Sequence, residues 1–376
     1  MTKLAVIGAG VASIPFLKKA REKNVYTICV GEYSNSIGRD FCDEFLDISI
    51  FDVEEVVKEL KAMSPDGIVA SSESTTEVTA IIANSLQLPG NSIKKGFGCK
   101  NKYVMRQRVK PLLCVKQPQF ALYENGKQYE FPIIVKAIDS CGKKGISIAQ
   151  DEDDLNRAIQ YAMKYSTDGN VLIEEYIEGG QEYSIECLVD NGKCFVIQLT
   201  EKETSGPPHF VELGHHQPAI MNDELRKRVE IASNEILYAL GLTSGMAHLE
   251  LKIVDSVIYF IEVGARAGGD RIADTLVGLS TDFDYYSAAI DIALRQFHYT
   301  APTNIAHSGI YFLCKQTEWL VPLFRNAKGK NWCIECEVAD YKLSEMLGNT
   351  DSSISGYLIY QANHRICLED NDFANN

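Results

Sequence analysis

An α/β fold is predicted by three features of the sequence. Short apolar runs alternate with amphipathic stretches over residues 1–95. From residue 180 the hydrophobic period becomes two, on either side of Asn191-Gly192. Beyond it, Leu225, Val229, Ala232, Ile236 and Leu240 recur at helical spacing. Alternating strands and helices read as a parallel, doubly wound sheet, and Asn-Gly between alternating runs reads as a tight hairpin. The 376 residues suffice for two to three domains. A hydrophobic content of 45% with 23% charge excludes disorder as the main state.

In order along the chain, Leu4–Gly8, Val25–Val30 and Gly67–Ala70 read as buried strands, with helices at Pro15–Lys23, Val53–Met63 and Thr76–Leu86. Leu88-Pro89-Gly90 closes this first unit, 1–95. A helical link, Asn101–Val109, leads into strands at Gln119–Tyr123, Phe131–Lys136, Ile146–Ala149 and Val171–Glu175. One helix interrupts them. Asp151 caps it, residues 152–154 place acids at its positive end, and Leu155, Ile159 and Ala162 form its apolar stripe. Glu182–Val189 and Lys193–Leu199 form the first hairpin and Gly245–Glu262 the second, with the long helix between them. Residues 301–376 read as a small mixed cap.

Several function classes are disfavoured at once. A net charge of −14 argues against a nucleic-acid backbone as partner. Eleven cysteines, odd in number and irregular in spacing, read as reduced thiols in the cytoplasm. The apolar run Leu4–Leu17 after Lys3 is broken by Gly8 and Gly10, so a strand running into a helix is expected there rather than a leader. No other run approaches the ~18 residues of a membrane span. Gly8-Ala-Gly10-Val-Ala-Ser13, with Glu32 after the second strand, has the outline of a dinucleotide fingerprint, but Ser13 replaces the third glycine. A tight strand–helix turn explains these glycines without a nicotinamide ligand.

The chemistry lies elsewhere. Lys102 sits on the linking helix. Lys136 ends a strand and leads into Ser140-Cys-Gly142-Lys143-Lys144-Gly145, a loop offering backbone N–H groups and mobile charge to a polyphosphate. The GxxxxGK(S/T) spacing is absent. Glu174-Glu175-Tyr176-Ile177 closes a strand, and Glu182 follows. Glu250 lies in His248-Leu-Glu-Leu-Lys252, and Glu262 and Arg266 in Ile261-Glu-Val-Gly264-Ala-Arg266-Ala-Gly268-Gly269. Side chains on a strand alternate faces. A turn centred on Ser256 therefore sets Glu250 directly opposite Glu262 on one face, where two carboxylates repel unless a cation joins them. Mg²⁺, which prefers oxygen ligands and phosphates, suits the pair. A two-residue Asp255-Ser256 turn would put them on opposite faces, so the metal reading requires the odd-length turn. The same register places Phe260 against a bound base.

This ordered set resembles the ATP-grasp superfamily over residues ~95–300, with the Rossmann-like unit before it. Phe210-Val-Glu-Leu-Gly-His215-His216-Gln-Pro218 with the HLELK and EVGARAGGD segments is most similar to L-amino acid ligases, relatives of the carbamoyl phosphate synthetase large subunit and of D-alanine–D-alanine ligase. The resemblance implies an α/β chain with a Rossmann-like domain at 1–95, an ATP-grasp domain at 96–300 with a lid at about 115–178, and an α+β cap at 301–376. It implies an ATP- and Mg²⁺-dependent enzyme, Mn²⁺ being an alternative metal. Such an enzyme joins a small-molecule carboxylate to an amine, plausibly an amino acid, through an acyl phosphate, and the implied assembly is a homodimer.

Residue by residue, Lys102 and Lys136 would hold the α- and β-phosphates, and Ser140, Gly142 and Gly145 would close over the γ-phosphate. Glu174, the main chain of Glu175 and Ile177 would read adenine, and Glu182 the ribose. Glu250 and Glu262 would bind magnesium. Arg266 with the Gly268 and Gly269 amides would stabilise the transferred group. The family often has Asn where Gly264 stands. Rival expectations are a bicarbonate, carbamate or thiol substrate on the same fold, and a non-catalytic nucleotide binder.

Other residues have plain readings beside functional ones. Glu186 shares a strand face with Glu182 and is the alternative ribose contact. His209, His215 and His216 read as a Pro-rich loop, exposed or lining a substrate pocket. His248 is a metal-face or core histidine. Glu73 and Glu77 read as helix surface or as amine contacts, and Cys333-x-x-Cys336 as two buried thiols.

Overall fold

A computed structural model describes residues 1–93, 97–346 and 354–368 of the chain. The first unit runs β1 (Lys3–Ile7), α1 (Ile14–Glu22), β2 (Tyr26–Gly31), β3 (Glu44–Asp47), α2 (Val53–Met63), β4 (Gly67–Ala70) and α3 (Thr76–Leu86). Its four strands are parallel, in the order β3-β2-β1-β4. Val56 and Leu60 of α2 and Val78 and Ile82 of α3 pack on one face. Phe16 and Leu17 of α1 cover the other. Gly8 sits at φ +92°, and a Cβ there would lie 2.5 Å from Ser71 Oγ. Backbone geometry and close packing thus require this glycine without any ligand.

Next come α4 (Lys102–Val109), β5 (Phe120–Leu122), β6 (Ile133–Ala137), β7 (Ile146–Ala149), α5 (Glu152–Met163) and β8 (Val171–Glu175). The strands form a separate antiparallel sheet, β5-β8-β6-β7. The α5 stripe of Leu155, Ala158, Ile159 and Ala162 covers it, giving this layer its own core. Asn101 caps α4 by accepting from Val104 N, and Asp151 caps α5 by accepting from Asp154 N.

The largest sheet is antiparallel and eight-stranded. Its elements are β9 (Gln181–Asp190), β10 (Lys193–Thr204), β11 (Glu212–Gln217), α6 (Asp223–Ala239), β12 (Ser244–Val254) and β13 (Val257–Gly264). They are followed by α7 (Val277–Thr281), α8 (Tyr285–Ala293), β14 (His307–Leu313), α9 (Val321–Ala327), β15 (Cys333–Val338) and β16 (Gly356–Ala362). The strand order is β13-β12-β9-β10-β11-β14-β16-β15, so the strands after residue 300 continue the same sheet. Helix α8 packs on α1 and β4 as well as on β9 and β12, tying the first unit to the large sheet.

Two expectations need correction. His215 and His216 belong to β11 and are buried, because Glu212–Gln217 pairs on both sides, with β10 and β14. Only His209 stays on the loop. In addition, β10 extends to Thr204, past the expected end at Leu199, and this brings Lys202 into the sheet.

Candidate active site

The separate four-stranded sheet, the large sheet and the first unit enclose a cleft of about 550 Å³, a size suited to a nucleotide-sized ligand. Lys102, at the start of α4, donates from Nζ to the Ser140 carbonyl at 2.5 Å and lies 3.2 Å from Glu262 Oε1. Lys136 on β6 lies 2.7 Å from Glu174 Oε2, and Arg106 Nε is 2.5 Å from Glu174 Oε1. Burial would raise the Glu174 carboxyl, but the two cations outweigh it and hold it at about 2. Glu174 therefore orients Lys136, and its carboxylate is committed before any adenine arrives. The Ile177 carbonyl accepts from Lys252 Nζ at 2.8 Å. Pro118, Ile134 and Ile261 give this end of the cleft apolar walls.

In the 140–145 loop, Cys141, Gly142 and Lys143 face the cleft, whereas Ser140 and Gly145 do not line it. Ser140 Oγ donates to the Lys144 carbonyl at 2.7 Å, and Gly145, at φ +68°, packs tightly on Ala137 and Tyr165. Both shape the loop. Lys143 reaches across to the large sheet, donating to the Phe210 carbonyl at 2.6 Å and lying 3.0 Å from Glu212 Oε1.

The hairpin β12–β13 turns on two residues, Asp255 and Ser256, both at positive φ, as a tight primed turn requires. The required odd-length turn is absent. Glu250 nevertheless pairs with Glu262, because the register shifts between Glu250 and Leu251, whose partner is Phe260. Ile261 is the extra residue of a β-bulge, and a bulge turns neighbouring side chains toward one side. Ile261 and Glu262 accordingly both line the cleft. The same bulge refutes the placement of Phe260 at the base: its ring is fully buried in the core, with the Arg106 guanidinium 5.0 Å from its centroid. Two opposed carboxylates open to the cleft are a donor set that fits Mg²⁺.

Several neighbours escaped the sequence reading. Lys202, buried on β10, lies 2.8 Å from Glu250 Oε1 and 2.9 Å from Glu212 Oε1. Burial opposes its charge, yet Glu212 and Glu250 raise its pKa above the ordinary lysine value. Glu212, on β11, also lies 3.1 Å from His215 Nε2. Glu212, His215 and Asp270 bring donor atoms within 4.8 Å of one another, but Lys143 and Lys202 already neutralise Glu212. An extended β10 would have revealed Lys202 through its pairing with Glu182.

At the transfer end, Arg266 Nε is 2.9 Å from Glu73 Oε2, and Arg266 also donates to the Ala267 carbonyl at 2.8 Å. Glu73 therefore faces the cleft rather than a helix surface. A Cβ at Gly264 would stand 3.0 Å from Glu73 Oε2 and 3.3 Å from Arg266 Cγ, so both side chains would have to give a little. Glu186 is completely buried and is no ribose contact: it bonds His248 Nδ1 at 2.5 Å and accepts from Gly268 N at 2.9 Å. The Gly268 amide is thus already engaged within the protein. Burial disfavours the His248 cation, but Glu186 and Glu250 push its pKa up to about 9. Glu182 lines the cleft on β9. Cys333 and Cys336 lie half-buried on β15 with no disulfide between them. No helix among the described residues is long and apolar enough to cross a membrane.

Residues 129–274 match the family model of the ATP-grasp domain. The fold aligns with the L-amino acid ligase of Bacillus licheniformis at a TM-score of 0.78 and 21% identity, over 97% of this chain and 94% of that one. The phosphoribosylglycinamide synthetase of Anaerococcus prevotii aligns at 0.72 and 19%, over 96% and 94%. In sequence, the carbamoyl phosphate synthase large chain of Pasteurella multocida is 21% identical over 266 residues, 66% of this chain but 24% of the synthase. This chain thus spans about a quarter of that relative. The formate-dependent phosphoribosylglycinamide formyltransferase of a Prochlorococcus marinus strain is 23% identical over 70% of each chain. Residues 129–274 thus match an ATP-grasp domain, and the fold of the whole chain is similar to that of these structures.

Proposed function

We propose that the chain is an ATP-dependent ligase that activates a carboxylate as an acyl phosphate and joins it to an amine, plausibly of an amino acid, releasing ADP and phosphate. The observation that carries this reading is the Glu250–Glu262 pair, opposed on one hairpin in a cleft that also holds Lys102, Lys136 and Arg266. In this reading residues 1–95 and 96–300, with a lid at 115–178, embrace the substrates, and 301–376 form a small C-terminal α+β cap whose strands extend the large sheet away from the cleft.

A carboxylate is a poor electrophile because its leaving group is poor, and phosphorylation supplies a good one. Lys102 and Lys136 hold the α- and β-phosphates, and the Gly142 loop covers the γ-phosphate. Main-chain groups of Glu175 and Ile177 meet adenine, and Glu182 meets the ribose. Glu250 and Glu262 would hold Mg²⁺ (or Mn²⁺), which would neutralise phosphate charge. Arg266 and the Gly269 amide face the charge that develops on transfer. Catalysis is then positioning and charge neutralisation, and the closed lid keeps water from the acyl phosphate. Unbridged thiols suit the cytoplasm. A homodimer, testable by sedimentation, has a parallel in the biotin carboxylase domain dimer of Hydrogenobacter thermophilus, which shares the fold.

The test is Mg-ATP turnover against a panel of amino acids, following ADP, AMP and phosphate together. Amino-acid-dependent ADP and phosphate, lost by more than ~100-fold in Glu262→Gln, is the expected result. AMP with pyrophosphate would replace this mechanism by adenylation.

A further inference from the structure

Glu186 is the most enclosed acid beside the cleft and has no exposed surface. A buried carboxylate is costly unless its oxygens are satisfied. Here Oε1 takes His248 Nδ1 at 2.5 Å and Oε2 takes the Gly268 amide at 2.9 Å. On its other side, His248 Nε2 stands 3.3 Å from Glu250 Oε1. The contact to the glycine is also steric: a Cβ on Gly268 would lie 2.6 Å from Glu186 Oε1 and 2.8 Å from His248 Nδ1. Gly268 therefore has no side chain because the strut occupies that space. A peptide N–H fixed from behind also fixes the planes of its neighbours, since only two soft dihedrals separate adjacent peptides.

We infer that Glu186 is a positioning residue: it clamps the Arg266–Gly269 loop through the Gly268 amide and steadies Glu250 through His248, so that the anion-stabilising end and the metal-binding end of the cleft keep one fixed relation. The inference rests on the ligase reading only for its kinetic consequence, because the clamp itself is a property of the free protein.

Glu186→Gln preserves shape but removes the charge and turns one acceptor into a donor, so both contacts can persist only if His248 gives up its Nδ1 proton and accepts there. Hydrogen–deuterium exchange of the unliganded protein reads the clamp directly. Peptides covering 264–272 should exchange several-fold faster in the variant, with β9 and β10 unchanged. In turnover assays kcat should fall about tenfold or more, with KM for ATP and the melting temperature unchanged. Gly268→Ala breaks the same contact from the loop side. Combined with Glu186→Gln, it should add little further loss, as coupled residues do. Wild-type exchange at 264–272 in both single variants would overturn the inference, as would equal loosening of the whole sheet with a matching rise in KM for ATP. If Glu186→Gln fails to fold, Gly268→Ala alone decides by the same exchange readout. If the wild type turns over no substrate, the ligase reading fails, while the exchange result still decides the clamp.

Discussion

Lys202 stands between two acids, Glu212 and Glu250, that would otherwise face each other's charge in a buried setting. Removing one partner of such a network leaves uncompensated charge, so Lys202→Met should cost about 3–5 kcal/mol in urea unfolding without metal. Glu212→Gln in the same chain should recover part of that loss. Gly264→Asn should press its Cβ on Glu73 and Arg266 and lower kcat about tenfold. Glu73→Ala in that background should relieve the crowding. The residues legible in the sequence, Lys102, Lys136, Glu250, Glu262 and Arg266, share a property: each sits in a short string whose neighbours are informative. Lys202, Glu186 and Glu212 do not. A lysine or glutamate on an alternating strand has the pattern of a solvated face, and its partner lies across the sheet rather than along the chain.

Among elements, the β12–β13 hairpin shows that turn length and strand register are separable. The tight turn alone would have sent Glu250 and Glu262 to opposite faces, and the bulge at Ile261 brings them together. Parity counted from the turn is blind to an extra residue in mid-strand, which is why Phe260 was assigned to the cleft and Ile261 was not. The turn is accordingly free to be improved. Asp255→Asn with Ser256→Gly suits two positive-φ positions and should stabilise by roughly 0.5–1 kcal/mol, raising Tm with turnover unchanged. Deleting Ile261 should do the reverse, abolishing turnover by restoring simple alternation. The first unit was legible because alternating strands and helices carry strong periodicity, but β3 and β11 were not. Glu212–Gln217 holds two histidines and a glycine, and only tertiary pairing makes it a strand.

For the whole molecule, acid stability has an identifiable source. His216 is buried between Tyr360, which it bonds at 2.9 Å, and Glu203, with Arg365, His215 and Tyr311 around it. Burial, Arg365 and His215 outweigh Glu203 and hold its pKa at about 4, against 6.5 for a free imidazole. The unfolded chain therefore binds the extra proton between these values, and stability falls as pH drops from 6.5 toward 4. Because His248 and His215, both raised, shift the other way, the test is the difference: from pH 7 to pH 5 the wild type should lose about 2 kcal/mol more than His216→Gln in denaturation. The continuous eight-stranded sheet has another consequence, felt before the protein is finished. His215 of β11 pairs with Ile310 of β14, so during synthesis β11 must wait on the order of 5–20 s for its neighbour to leave the ribosome. Throughout that interval it is an open edge carrying unpaired peptide groups, able to recruit strands from other nascent chains. A chaperone or an interim cover would shield that edge, and a chain stopped at residue 300 would keep it open for good.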